Sequence, residues 1–346
     1  MDAKYIRKQL TDKKIKVLRR YSRRLGGSPF VPLSHKILMP GERLNFDVYL
    51  LVKEEKKGEG KFLPYVQAGE VLKSEWIELL QGVGIDRLYL HPQDLEKVVA
   101  YLNNHLQTYS SREEPPPEQM YLFREHLHFS LHLAFSSPKM GPHINLAKDM
   151  VGNIINFLEK DLAPWKLISE ILYKDYNLYS HSVNVSLLSM AMVVFLRKSK
   201  GDGLILGLAG LFHDLGLTRI NKEIDYNKEG LCQEDWEILK DHPAVGYKLL
   251  QSYTAMPEEA CRLVLEHHEN ADGSGYPQGL TLAQQHPWTR LMRLVDAYDS
   301  ITSHRPSGPG HKPFAALKLL QEQRGPKGPV FEAETLKYFI RFLAFT

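Results

Sequence analysis

Along this chain the spacing of apolar positions changes character twice. Residues 1 to 24 set Ile6, Leu10, Ile15, Val17 and Leu18 among charged neighbours, which predicts a basic, amphipathic helical arm stopped by Gly26-Gly27-Ser28-Pro29. Short runs rich in β-branched and aromatic residues follow, at His35 to Met39, Phe46 to Val52, Phe62 to Val66 and Arg87 to Leu90, and predict strands. A helix starting at Ser74 interrupts them, and another from Pro92 to Thr108 closes the unit, so residues 25 to 110 read as a small mixed α/β domain with an accessory, regulatory role. Ser110 to Glu118, with Glu113-Glu114 ahead of three prolines, predicts an extended linker, and residues 111 to 143 a linker with a connecting helix. Beyond it the apolar period becomes helical. Helices are expected over Ile144 to Lys160, Pro164 to Asp175, Tyr179 to Lys198, Gly203 to His213, Glu234 to Gln251, Pro257 to His268, Trp288 to Thr302, Pro313 to Gln323 and Glu332 to Phe345. The fold class is therefore mainly α: a C-terminal helical bundle over 144 to 346 behind a small mixed α/β domain.

Composition changes this picture little. At 346 residues there is material for about two cores, and the net charge is only +3. Its placement matters more, because ten Lys or Arg against Asp2 and Asp12 give the first 24 residues +8 and leave the remainder at −5. Such an arm suits a membrane surface, nucleic acid or an acidic partner, or else lies as a solvated basic helix docked on its own protein. Cys232 and Cys261 have no metal-ligand spacing and indicate no disulfide framework, so a reducing, cytoplasmic setting is expected. The longest apolar stretches, Leu187 to Leu196 and Leu204 to Phe212, are shorter than the roughly 20 residues that span a bilayer, and no transmembrane segment is expected.

Chemistry concentrates in the helical part. His267-His268 precede Asp272-Gly273-Ser274-Gly275-Tyr276-Pro277, a turn in which two glycines tolerate positive φ and Pro277 removes a donor, so the histidines stand at a helix end. Adjacent residues point about 100° apart on a helix, so the pair suits two ions, or one ion where the helix frays. His181 opens an apolar helix. His213-Asp214 closes another, where an unpaired carboxylate would cost several kcal/mol without a cation. His242-Pro243 interrupts a helical segment, and Asp296 lies among Leu294, Val295 and Ala297. His126, His128 and His132 do not share one helical face and read as surface or core residues.

Taken in order, His181-Ser182, His213-Asp214-Leu215-Gly216, His242-Pro243-Ala244-Val245-Gly246, His267-His268-Glu269 with Gly273 to Pro277, and Asp296-Ala297-Tyr298-Asp299 with Arg305-Pro306 resemble the HD-GYP family of HD-domain phosphohydrolases. The resemblance covers about residues 145 to 345. It implies a phosphodiesterase that opens cyclic di-GMP to pGpG and onward to GMP. It also implies two divalent ions, iron or manganese, on His181, His213, Asp214, His242, His267, His268 and Asp296, with a bridging hydroxide as nucleophile. Five imidazoles and two carboxylates suit such borderline metals better than Mg²⁺ or Ca²⁺. By the same resemblance His213 and Asp214 are the catalytic pair, Asp214 is the bridge, Arg305 contacts phosphate, and Tyr276 with Gly273 shapes the nucleotide pocket.

The chain also departs from the pattern. Leu217 stands where relatives carry lysine, with Arg219 two residues on as a substitute; Asn177 stands where relatives with a third ion carry glutamate; Ser307 replaces a tyrosine. The departures keep open a weakly active or inactive module that binds metal and dinucleotide and acts through protein contacts, and hydrolysis of a related substrate such as cyclic GMP-AMP. Protein partners through the N-terminal domain and a homodimer are compatible with the sequence; a nucleic-acid polymer is not expected.

Overall fold

The structure, a computed structural model, describes residues 3–12, 30–53, 60–110, 116, 118–137, 139–160, 164–220, 232–253, 256–305 and 308–345. The expectations for Ile15, Val17, Leu18, the break at Gly26 to Pro29, most of the Ser110 to Glu118 linker, and Ser307 lie outside the described residues. The chain divides into two compact units, Met1–Phe129 and Ser130–Thr346.

In the first unit, α1 (Ala3–Thr11) is followed by β1 (Val31–Ser34), β2 (Val48–Lys53), β3 (Gly60–Val66), α2 (Ser74–Gly82), β4 (Arg87–Leu90) and α3 (Leu95–Ser110). The strands form one antiparallel sheet in the order β1-β4-β2-β3. Helix α1 packs on β3, and Arg7 fixes it there through a 2.7 Å ion pair with Glu70 and a guanidinium 3.6 Å above the Trp76 ring. The strand expected over His35 to Met39 is displaced: the strand is Val31–Ser34, and His35–Ile37 form a 3-10 turn. Two causes are visible. Pro32 would spoil a central strand but sits on the sheet edge, where a missing donor costs little. Ser34 then accepts the Lys36 amide, capping the turn and ending the strand.

The helix α4 (Gln119–Ser136) spans the division. The second unit continues with α5 (Gly141–Lys160), α6 (Pro164–Ile171), α7 (Leu178–Phe195), α8 (Lys200–Phe212), α9 (Gln233–Leu239), α10 (His242–Gln251), α11 (Glu258–Glu266), α12 (Thr289–Thr302), α13 (Pro313–Glu322), the two-residue strands β5 (Arg324–Gly325) and β6 (Gly328–Pro329), and α14 (Ala333–Phe345). The fold is mainly α, as its apolar period predicts. Helix α7 is its centre, packed by α8, α12 and α5. It is long and apolar enough to cross a membrane by length and composition, yet it is buried in the bundle and begins with buried polar residues, among them His181 and Asn184. Helices α7 and α8 approach closely: a Cβ on Gly210 would stand 2.9 Å from the Ser186 Cα, and Ser186 donates to the Gly207 carbonyl at 2.7 Å.

Two helices differ from expectation. The span from Glu234 to Gln251 is two helices, because Pro243, which lacks an N–H, fits only the first turn of a new one. The helix expected to reach Asp175 ends at Ile171, since the following backbone pairs with a distant segment: Tyr176 N donates to the His304 carbonyl at 2.8 Å, and His304 N to the Lys174 carbonyl at 2.6 Å.

Candidate metal centre

Helix ends bring the candidate ligands together. Asn177 accepts from the Tyr179 and Ser180 amides at 3.0 Å and caps α7, which sets His181 in its first turn, buried. His213 caps the C-terminus of α8 and Asp214 follows; His242 opens α10; α11 ends at Glu266, so His267 and His268 lie just past it; Asp296 is on α12. All seven residues converge. Their donor atoms fall into His181 with His213 and Asp296, His242 with His267 and His268, and His213 with Asp214 and His267, each group within 4.8 Å.

Hydrogen bonds fix which nitrogen of each ring faces inward. The Nδ1 of His213 lies 2.9 Å from the Gly210 carbonyl, that of His242 2.7 Å from the Leu239 carbonyl, and that of His267 2.7 Å from the Val264 carbonyl. A carbonyl only accepts, so each Nδ1 donates and each Nε2 presents a lone pair in the neutral ring. Those Nε2 atoms crowd one another: His242 and His267 are 3.0 Å apart, His213 and His181 3.3 Å apart. The lone pairs of His242 and His267, facing each other at that distance, repel without a cation, so the donor set fits metal ions. Asp214 addresses both halves. Its Oδ2 is 3.2 Å from His213 Nε2 and its Oδ1 3.2 Å from His242 Nε2. Asp296 also spans, with Oδ1 3.1 Å from His181 Nε2 and Oδ2 3.8 Å from His268 Nδ1.

The electrostatics of the two halves are opposite. Burial alone would raise Asp214, but His213 and His242 outweigh it and hold its carboxyl well below the usual carboxylate range; His181, His268 and His213 do the same for Asp296. Burial works against His181, but Tyr176, Asp296 and Asp299 overcome it and raise it well above an ordinary imidazole; Asp214 raises His213. On the other side, burial beside His213 and His242 lowers His267 to about 3, and burial beside His267 lowers His268 well below the ordinary value.

The loop over the site is built closely. Gly273 has φ +74°, as a turn glycine should, but Gly275 serves differently: a Cβ there would stand 2.3 Å from the Asn270 amide, so only glycine lets the loop fold back on the helix end. Tyr276 N then donates to the His268 carbonyl at 3.2 Å, and its ring stacks on His268 with centroids 4.7 Å apart. Arg305 holds its guanidinium 3.8 Å above the Tyr176 ring, itself 4.9 Å from that of His181, and also lines a cavity of about 390 Å³ with Ser300, Ser303 and His311. Leu217 is half-buried in the 3-10 turn Leu215–Arg219, and Arg219 is exposed at its end.

Four supporting residues take roles that motif reading does not assign. Asp299 accepts from His181 Nδ1 at 2.7 Å and from Asn184 at 2.8 Å. Glu269 accepts the Gln278, Gly279 and Leu280 amides, at 2.7, 3.1 and 2.8 Å, and so shapes the loop. Arg293 bonds Asn270 Oδ1 at 3.2 Å and approaches Asp296 Oδ2 at 3.7 Å. Asp272 accepts from Ser274 and from the Lys327 amide of the β5–β6 turn, whose Gly325 leaves no room for a Cβ beside that carboxylate. Asp299 had a signal, since three residues from Asp296 is the same helix face. The other three depend on loop closure.

Residues 166–327 match the family described as HD domain. A cyclic di-GMP phosphodiesterase of Pseudomonas aeruginosa is 33% identical over 207 residues, covering 58% of this chain and 49% of the relative. The cyclic di-GMP phosphodiesterase response regulator RpfG of Xanthomonas campestris is 29% identical over 161 residues, covering 46% and 43%. The chain spans about half the length of the curated relatives it matches. The fold matches that of an HDG"Y"P protein of Bdellovibrio bacteriovorus with a TM-score of 0.68 at 20% identity, over 91% of this chain and 99% of that one.

Proposed function

Since residues 166–327 match the HD domain family, we propose that the chain is an HD-GYP protein and a metal-dependent phosphodiesterase of cyclic dinucleotides, with cyclic di-GMP opened to pGpG and then to GMP. The observation that carries this reading is Asp214, whose two oxygens each face a different group of imidazoles, as a carboxylate shared by two ions must. His181, His213 and Asp296 would hold one ion and His242, His267 and His268 the other, iron or manganese by donor type. When bound, the pair would supply Lewis acidity and an acidified water for in-line attack on phosphorus.

The chain's own residues do the rest. Asp299 keeps the His181 proton on Nδ1 and so leaves Nε2 free to ligate. Arg305, propped on Tyr176, offers guanidinium N–H groups to a phosphate. Tyr276, held against His268, walls the side on which a nucleotide would lie and limits water there. Asn177 is occupied as a helix cap, which favours two ions over three.

One observation supports a weaker, signalling role: the position after Asp214-Leu215-Gly216 is the aliphatic Leu217, which gives a phosphate no cation. The test is to load the protein with iron or manganese under low oxygen and offer several cyclic dinucleotides, cyclic GMP-AMP included. Linear product from cyclic di-GMP at two metals per chain is the expected result. Full metal content with no hydrolysis of any of them would replace the enzyme by the binding module.

A further inference from the structure

The tryptophans whose side chains are described divide by use. Trp76 lies under the Arg7 guanidinium, and Trp288 donates from Nε1 to Asp202 at 2.8 Å, so both serve the fold. Trp236 does neither. It is 44% exposed on α9, with Ile238 of the same helix 43% exposed, and among the described residues its indole N–H has no hydrogen-bond partner. A large aromatic left partly in water gives up burial that folding would otherwise use, and beside a site it leaves a face that a ligand can cover.

Its position is tied to the metal centre on two sides. The indole stands edge-on to Tyr276, with centroids 6.3 Å apart and planes at 80°, and the Tyr276 ring stacks on the ligand His268. From His268 outward, therefore, His268, Tyr276 and Trp236 form a run of neighbouring rings. At the other end of α9, the carbonyl of Leu239, one turn beyond Trp236, accepts from His242 Nδ1 at 2.7 Å, so the short helix is fastened to a second ligand. A ring held that way keeps its place relative to any phosphate at the ions.

We propose that Trp236 is a base-stacking residue of the substrate cleft, taking a purine of the nucleotide on its indole face beside Tyr276. The inference rests on the cyclic dinucleotide reading above. Stacking suits the chemistry because a purine presents a wide π-face, and an indole gives it the largest overlap of any side chain at little conformational cost. It recognises the base as a flat ring system rather than by its hydrogen-bonding edge, so it favours purine over pyrimidine and discriminates weakly between guanine and adenine.

The test uses the manganese-loaded full chain and cyclic di-GMP, read by tryptophan fluorescence and by product formation. In the wild type the nucleotide should quench part of the emission, and that part should be missing in Trp236→Phe. Trp236→Ala should raise KM about 10-fold to 100-fold with metal content and thermal midpoint unchanged, and Trp236→Phe should recover most of the loss. If wild type turns over but Trp236→Ala keeps its KM within about twofold, the inference is overturned and the enzyme reading stands. An unchanged KM with an altered oligomeric state would instead make Trp236 a contact between copies. A fully loaded wild type that neither quenches nor hydrolyses would overturn the dinucleotide reading and this inference together.

Discussion

Asp299 Oδ2 lies 2.7 Å from the Nδ1 of His181, while its Oδ1 accepts from Asn184 at 2.8 Å, so one buried carboxylate orients a candidate ligand from the far side. An asparagine has a single acceptor oxygen and cannot satisfy both donors. Asp299→Asn is therefore expected to lower metal affinity about 10-fold to 100-fold while the helices stay folded. Metal content after dialysis against graded chelator measures this, and a wild-type affinity in the variant would show that His181 needs no such support.

Asp214 and Arg305 separate metal binding from substrate binding. Asp214→Ala removes the carboxylate that faces both imidazole groups and should lose metal and activity together. Arg305→Ala leaves the ligands untouched and should retain metal while kcat/KM falls about 10-fold or more. Elemental analysis beside steady-state kinetics distinguishes them; hydrolysis surviving in the Asp214 variant would remove the bridge.

The first unit carries its own pH dependence. Burial lowers His126 to about 4 and His128 to about 3, from 6.5 in an unfolded chain. Both are neutral when folded but take a proton on unfolding below pH 6.5, so their contribution is complete above 6.5 and is lost as the pH falls towards 4 and 3. At pH 4 the loss is at most about 3 kcal/mol for each. Urea unfolding of His128→Leu beside wild type, at pH 7 and pH 4.5, should show the flatter dependence in the variant. Parallel dependences would assign the acid sensitivity elsewhere.

Leu217 follows Asp214 in the same turn, its amide donating to the Asp214 carbonyl at 3.0 Å, while Arg219 is exposed at the end of that turn. A lysine at 217 would add one charge-assisted phosphate contact, worth about 1.5 to 3 kcal/mol. Leu217→Lys should then raise turnover of cyclic di-GMP about 10-fold to 100-fold at constant metal content. An unchanged Leu217→Lys with a slower Arg219→Ala would mean that Arg219 already fills the role.

The candidate ligands stood out in the sequence because each is an imidazole or carboxylate where a helix end or an apolar face would otherwise hold something blander. Their partition into two groups did not, since it depends on which Asp214 oxygen meets which ring. The role of Asp299, quoted only as part of a motif, was not legible because its partner His181 is 118 positions away in the chain. The early end of α6 escaped for the same kind of reason: nothing local to Tyr176 reveals that its amide meets the His304 carbonyl. The strand placed at His35 instead of Val31–Ser34 was a local error: Pro32 is tolerated in a strand because β1 is an edge, which is a property of the assembled sheet.

The bond from the Lys327 amide to Asp272 ties the loop at Tyr276 to a hairpin 55 positions downstream. The wall of the cleft is thus inherited in two pieces. Residues 269 to 280 grafted into a relative without the Arg324–Pro329 turn would bring Asp272 without its downstream donor, and a graft of the turn alone would bring Gly325 with nothing to make room for. Exchanging specificity between relatives would then require recombining both segments at once, and chimaeras that cross over between residues 281 and 323 should be the ones that lose the shape of the pocket.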